Sequence, residues 1–148
     1  MTHDPDCTVC AMVAASDRSS VIWEDENWIA TTMLDVPGWL LVMTRRHVDG
    51  VWSLNAAEAS SFGPILRDLA QATKAATGAE RTHLAAQGER ALHFHYMILA
   101  RTADGTPVFD SHEISRRAAL DADAPRARAF EAGLREALRE TALEPTAG

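Results

Sequence analysis

The chain has 148 residues, 47% hydrophobic and 24% charged, ordinary globular proportions that lead us to expect one domain over 1–148 with its own core. Its formal charge of −7 excludes a general nucleic-acid binder, which needs a net basic surface. No apolar run approaches the roughly 20 residues that span a bilayer, and the acidic start Met-Thr-His-Asp-Pro-Asp is unlike a secretory signal, so a cytoplasmic protein with no membrane partner is expected.

Cys7 and Cys10 are the two cysteines, in Cys-Thr-Val-Cys. In a reducing compartment this spacing reads as half of a metal site or a redox pair rather than a structural disulfide. A thioredoxin-like pair would follow a strand and open a helix. No strand precedes these two, so metal binding is the stronger reading, with histidines as the remaining ligands. Residues 9–15 favour a short helix that ends at Ser16-Asp17. Residues 21–24 and 28–33 read as strands of a hairpin turned by Asp25-Glu26-Asn27. Asp35-Val36-Pro37-Gly38 is a turn by composition. Trp39–Met43, apolar on both faces, is a central strand that leads into Thr44-Arg45-Arg46-His47.

A helix of about 20 residues follows. Asn55 and Glu58 form a capping box, Gly78 ends it, and Phe62, Ile65, Leu66, Leu69 and Thr73 share one face. Pro64 predicts a kink or restart near its first turns. Strands are expected over 82–86 and 92–100, with a bend at Gly88 between them. After a turn that begins beyond Thr102, a last amphipathic helix is expected from Pro125 to Thr141, with Phe130, Leu134, Ala137 and Leu138 inward. Hairpin, strand, helix, two strands, helix is the order of an antiparallel α+β domain.

The stretch His93-Phe94-His95-Tyr96-Met97-Ile98-Leu99-Ala100-Arg101 alternates strictly. In an extended strand His93, His95 and Met97 point to one face. Imidazoles about 7 Å apart on a strand face suit a metal ligand beside a nucleophile or general base. Positive charge for an anionic small molecule is sought in Arg45-Arg46, Arg90 and Arg101. Asp110-Ser111-His112 reads as a polar loop, and His3 and His83 as surface or satisfied residues. The four tryptophans read as core, with Trp39 and Trp52 open to a second role lining a pocket.

That stretch resembles the signature of the histidine triad (HIT) superfamily, His-φ-His-φ-His-φ-φ-Pro-Arg with φ apolar. Val21-Ile22-Trp23-Glu24-Asp25-Glu26 is similar to an early strand of the family. The segment from Pro37-Gly38-Trp39 to Arg45-Arg46-His47 resembles its Gly-His to Pro-Lys-Arg-His stretch, and Gly88-Glu89 its Gly-Gln lead-in. The likeness runs in order over residues 6 to 101. It implies a five-stranded antiparallel sheet with one long helix, here followed by a C-terminal helix in the 102–148 tail, in a homodimer whose sheets join. It also implies nucleotide chemistry at phosphorus. The middle His, here His95, attacks the α-phosphorus of a nucleoside phosphoramidate or dinucleoside polyphosphate, and water then releases the mononucleotide. Zinc-containing members carry ligands at the positions of Cys7, Cys10, His47 and His93. Such a closed set is structural and would pin residues 1–16 and the His47 turn to the strand bearing His95.

Several positions depart from the family. Met97 stands in place of the third His, and a thioether cannot donate a proton. General-acid help of that kind contributes ~10²–10⁴ in rate. Glu89 could replace it only with a raised pKa, while Arg90 and Arg101 could supply charge but no proton. Arg90 stands where many members have a phosphate-binding Ser, Trp39 replaces the His of Gly-His, and Thr44 and Ala100 replace prolines. Asp35 lies where the family binds ribose hydroxyls, a turn-forming Asp being the equal alternative. The expected substrate side is thus Asp35, Glu89, Arg90, Met97 and Arg101 around His95. Two alternatives stay open: a scaffold turned to different, zinc-dependent chemistry in specialised metabolism, and a nucleotide- or partner-binding module without turnover.

Overall fold

The computed structural model describes residues 3–101 and 122–140, together with Arg116 and Leu120. The expected turn after Thr102, the Asp110-Ser111-His112 tripeptide and Thr141 lie outside the described residues. β1 (Val21–Glu24) and β2 (Trp28–Thr32) form the expected hairpin. The Asp25 carboxylate closes its turn by accepting the N–H groups of Asn27 (2.8 Å) and Trp28 (2.7 Å), a local bond that Asp readily makes. A bulge between Val21 and Trp23 turns both Ile22 and Trp23 into the core. With β3 (Trp39–Thr44), β4 (Thr82–Ala85) and β5 (His95–Ala100) the sheet has five strands in the order β1-β2-β3-β5-β4. Every pairing is antiparallel. β3 is central and buried apart from half-buried Leu41, as its unbroken apolar run predicts.

Two helices cover one face. α2 (Ala56–Thr77) starts at the Asn55–Glu58 capping box and ends at left-handed Gly78, as its sequence predicts. α3 (Ala124–Glu140) turns Phe130, Leu134 and Leu138 inward. Trp28, Leu40, Val42 and Tyr96 of the sheet pack with Ile65 and Leu69 of α2 in the same core. The expected restart at Pro64 does not occur, and α2 is one helix. Ser60, Gly63 and Pro64 are all exposed, so the carbonyl that Pro64 deprives of a partner turns to water. No helix among the described residues is long and apolar enough to cross a membrane.

Strand alternation sends Ile29, Leu41, Met43, His95, Met97 and Leu99 to the other face. The short α1 (Thr8–Ala14) lies over part of it, with Val9 and Val13 packed in one cluster with Ile29, Leu41 and Met43. His95, on the neighbouring strand, stays half-buried.

Between β2 and β3 the chain makes two turns in succession. Val36 N–H donates to Met33 O (3.2 Å) and Trp39 N–H to Val36 O (3.1 Å). In the second, Pro37 and Gly38 (φ +84°) take the central places of a type II turn. Gly38 also has no room for a side chain, because a Cβ would lie 2.5 Å from that of Ala100. In the first turn Leu34 (φ +57°) and Asp35 (φ +54°) are both left-handed, a conformation that favours Asn-Gly and strains a leucine. Leu34 is 55% exposed and has little packing to lose. Leu34→Asn is therefore expected to stabilise the protein by about 1 kcal/mol, seen as a higher urea midpoint at unchanged slope. A lower midpoint would contradict the strain.

Candidate functional site: a Cys2His2 cluster beside His95

β5 begins at His95 rather than Leu92, so His93 stands outside the strand on a bend. The ladder stops because β3 turns away after Thr44. The Arg45 N–H goes to Asn27 O (2.8 Å), and its guanidinium to Asp25 O (2.7 Å) and Glu24 (2.6 Å). Phe94 N–H instead finds Val48 O (2.6 Å), while Phe94 O accepts the N–H (3.3 Å) and hydroxyl (3.2 Å) of Thr44. Phe94 still packs in the main core. The His93 ring is turned to α1 instead of standing in a row with His95.

Cys7 is the N-cap of α1 and Cys10 lies three residues on, so both sulfurs leave one side of the helix start. Cys10 Sγ lies 3.3 Å from His47 Nδ1 and 3.4 Å from His93 Nδ1, and Cys7 Sγ lies 3.7 Å from His93 Nδ1. All four ligand atoms fall within 4.8 Å of one another. His93 Nε2 is 2.8 Å from Thr44 O, which can only accept. Nε2 therefore carries the proton, and Nδ1 turns a lone pair to the sulfurs. Burial lowers the His93 pKa against the opposing Thr44 bond, favouring the neutral ring that a ligand needs. Burial pushes the Cys10 thiol up, against the bond from Asp4 N–H, and a bound cation displaces such a proton. The N–H groups of Asp4 and Cys10 approach the sulfurs of Cys10 (3.4 Å) and Cys7 (3.5 Å) as outer support.

A tetrahedral zinc with sulfur at about 2.3 Å and nitrogen at about 2.0 Å sets S and N about 3.5 Å apart. The three S···N contacts match that edge. Two sulfurs and two imidazoles are also a donor set that suits zinc. The residues fit such a metal.

His95 Nδ1 is 2.6 Å from His93 O, so Nδ1 donates and Nε2 keeps its lone pair. The next residue on that strand face, Met97, packs with Val36, Trp39 and Leu99. Trp39 is 1% exposed and is core rather than pocket wall; Trp52 is 77% exposed and lies over Gly50. Asp35 sits exposed on the turn before β3, its carbonyl accepting Asp123 N–H (2.9 Å). That end of the face, where Trp39 pairs with Leu99, is about 13 Å along β5 from His95. Glu89 and Arg90 form an exposed turn in the connection before His93.

Of the four arginines expected to gather an anion, three are engaged elsewhere. Arg45 pairs with Glu24, Arg46 with Glu58, and Arg101 with Glu80 (3.1 Å). Arg101 is also about 20 Å along the strand direction from His95, so it is not brought to that ring. Arg90 makes no ion pair among the described residues. The side-chain pairs were hidden in the sequence because their partners lie far along it.

Sequence reasoning expected a backbone carbonyl to hold the His95 tautomer, which His93 O does, but missed Thr44 and the latch that steadies the His47 turn. In that latch Arg46 grips Glu58 twice (3.0 and 2.7 Å) and Ser53 O once (2.9 Å). Glu58, 2% exposed, also accepts Asn55 N–H (2.8 Å) in the capping box. Thus the carboxylate that starts α2 also ties down the loop carrying His47. Burial pushes the Glu58 carboxyl up, but Arg46 and the Asn55 N–H outweigh it and hold its pKa below the ordinary value.

The architecture has close counterparts. A zinc-bound histidine triad family protein of Mycobacterium smegmatis matches with TM-score 0.69 over 91% of this chain and 94% of its own, at 19% identity. A HIT-like protein of Bartonella henselae involved in cell-cycle regulation matches with TM-score 0.71 over 93% and 100%, at 16% identity. A uridylyltransferase matches with TM-score 0.68 over 90% of this chain and 45% of its own, at 16% identity. No protein-family model and no curated protein matches the sequence. The chain has the histidine triad fold, with a Cys2His2 cluster built into it.

Two outcomes follow from this geometry. The purified protein should hold one equivalent of zinc per chain, and Cys7→Ser should lose it to a chelator that leaves the wild type loaded; equal retention would exclude Cys7 as a ligand. The depressed Glu58 pKa makes its contribution full above the unfolded carboxylate value and lost as pH falls through the folded one. Glu58→Gln should cost about 1–2 kcal/mol near neutrality, a gap that closes in acid when denaturation is followed across pH.

Proposed function

We propose that the chain is a zinc-stabilised histidine triad protein that cleaves or transfers a nucleotidyl group through a covalent bond to His95. The observation that carries this reading is the His95 ring, whose Nδ1–H is tied back to His93 O so that Nε2 keeps its lone pair. An imidazole in that state is a nucleophile, and on phosphorus it becomes a good leaving group. Nε2 bonds to the α-phosphorus as the bond to the amine or phosphate breaks, and the departing group takes a proton from water. A second water then breaks the phosphorus–nitrogen bond, releasing the mononucleotide, a proton and the neutral ring.

Cys7, Cys10, His47 and His93 would hold the zinc. Four protein ligands leave no place for substrate, so the metal supplies a cross-link between chain segments. Asp35, Glu89, Arg90 and Met97 form the proposed substrate side. Arg101 is set aside because of its pairing with Glu80 and its distance from His95. Support for the class of chemistry comes from structural neighbours that include a zinc-bound histidine triad protein and a uridylyltransferase.

The same reading makes the protein one cytoplasmic domain that pairs as a homodimer along β4. At the other edge of the sheet Arg135 of α3 caps the start of β1, donating to the carbonyls of Ser19 (2.8 Å) and Val21 (3.0 Å). β4 instead presents Leu84, 52% exposed. The packing of Met97 among Val36, Trp39 and Leu99 favours one variant of the reading, a changed substrate on the same scaffold.

Incubation with an adenosine phosphoramidate and with a diadenosine polyphosphate, followed by intact mass, tests the proposal. A nucleotidyl adduct is expected on the wild type and none on His95→Ala; absence of adduct and turnover with both compounds would leave a binding module. Rates should fall steeply as the pKa of the leaving group rises, because Met97 has no proton to give. A flat dependence would reveal another donor.

A further inference from the structure

We infer that Thr44 is a positioning residue for His95, through its two-point grip on the His93-Phe94-His95 segment. The inference rests on the reading of His95 as the nucleophile. Thr44 is fully buried at the end of β3. Its N–H and its hydroxyl both donate to the carbonyl of Phe94 (3.3 and 3.2 Å). Its own carbonyl accepts Nε2–H of His93 (2.8 Å). One residue therefore touches both the ring that faces the two sulfurs and the peptide that leads into His95.

The consequence follows from peptide planarity. Phe94 O and the His95 N–H belong to one plane, and His93 O and the Phe94 N–H belong to the plane before it. Val48 O holds the His93–Phe94 plane through Phe94 N–H (2.6 Å), and Thr44 holds the Phe94–His95 plane through Phe94 O. The Phe94 ring is fixed between them, 6.1 Å from Trp28 and 6.0 Å from Phe62. With both planes set, His93 O is aimed at His95 Nδ1, 2.6 Å away, and the tautomer with its lone pair on Nε2 is selected.

Thr44→Val keeps the shape and the backbone carbonyl but deletes the hydroxyl, and Thr44→Ser restores it. Three measurements apply: zinc content, the rate and KM of adduct formation with an adenosine phosphoramidate, and nitrogen-correlated NMR of the histidine rings. Thr44→Val should keep its zinc and its KM, form adduct about tenfold more slowly, and expose the His95 Nδ1–H to faster solvent exchange. Thr44→Ser should recover both. An unchanged adduct rate and unchanged exchange in Thr44→Val would overturn the inference. So would loss of zinc along with rate that serine does not repair, since Thr44 would then be merely structural. The wild type alone must show His95 protonated on Nδ1 and His93 on Nε2, and the opposite state of either ring overturns the inference even if Thr44→Val does not fold. A protected His95 Nδ1–H in a wild type that forms no adduct would sink the nucleotide reading and leave the positioning intact.

Discussion

Two sulfurs and two imidazole nitrogens converge on one point, and the arrangement around His95 depends on that convergence. Cys10 and His93 are 2% and 1% exposed, so their polar atoms have left water and must be satisfied by one another, by backbone groups or by a cation. The set draws together positions 7, 10, 47 and 93 of the chain. α1 has seven residues, too few to be stable by itself. Its seat on the sheet comes from the cluster and from Val9 and Val13. A cation in the cluster would tie α1, seated on the sheet by Val9 and Val13, to the His47 and His93 segments, which the bond from Phe94 N–H to Val48 O already joins.

The nucleophile candidate inherits its order from this arrangement. His93 offers its ring to the sulfurs and its carbonyl to His95, so one residue serves both the cluster and the half-buried ring beside it. The device works because the ladder ends where it does. Had β3 and β5 continued their pairing, His93 would have stood on the open face in line with His95. β3 leaves β5 after Thr44, where Arg45 is held by the Asp25 carbonyl and the Glu24 carboxylate, and His93 lies on the bend opposite. Arginines that a phosphate would otherwise attract are thus engaged within the fold, Arg45 by Glu24 and Arg46 by Glu58. That leaves a face that is mostly apolar beyond His95, in a chain that is acidic overall.

Much of the fold was legible in the residues. The Asp25 hairpin turn, the Asn55–Glu58 capping box, Gly78 and the inward stripe of α3 are local patterns whose physics needs only neighbours within a turn or two. The Cys2His2 set was legible only through the resemblance, as spacing alone does not say which histidines will meet Cys7 and Cys10. The reading of residues 92–100 as one strand was too long, because alternation persists through a bend that has lost its ladder. Pro64 was expected to interrupt α2, but its cost falls on a carbonyl that faces solvent.

By itself, the sequence determined which segments are helices and strands, which faces they bury, and which residue types are available for chemistry. Periodicity, caps and turn residues act over short separations and leave little choice. Only the tertiary structure decided that His93 turns inward while His95 stays half-open, that Arg46 and Arg101 are engaged by acids, and that Thr44 reaches Phe94. Those outcomes join groups separated by many positions, 86 between Cys7 and His93 and 50 between Thr44 and Phe94. Contacts over such separations depend on how the packed elements approach one another, which no local pattern encodes.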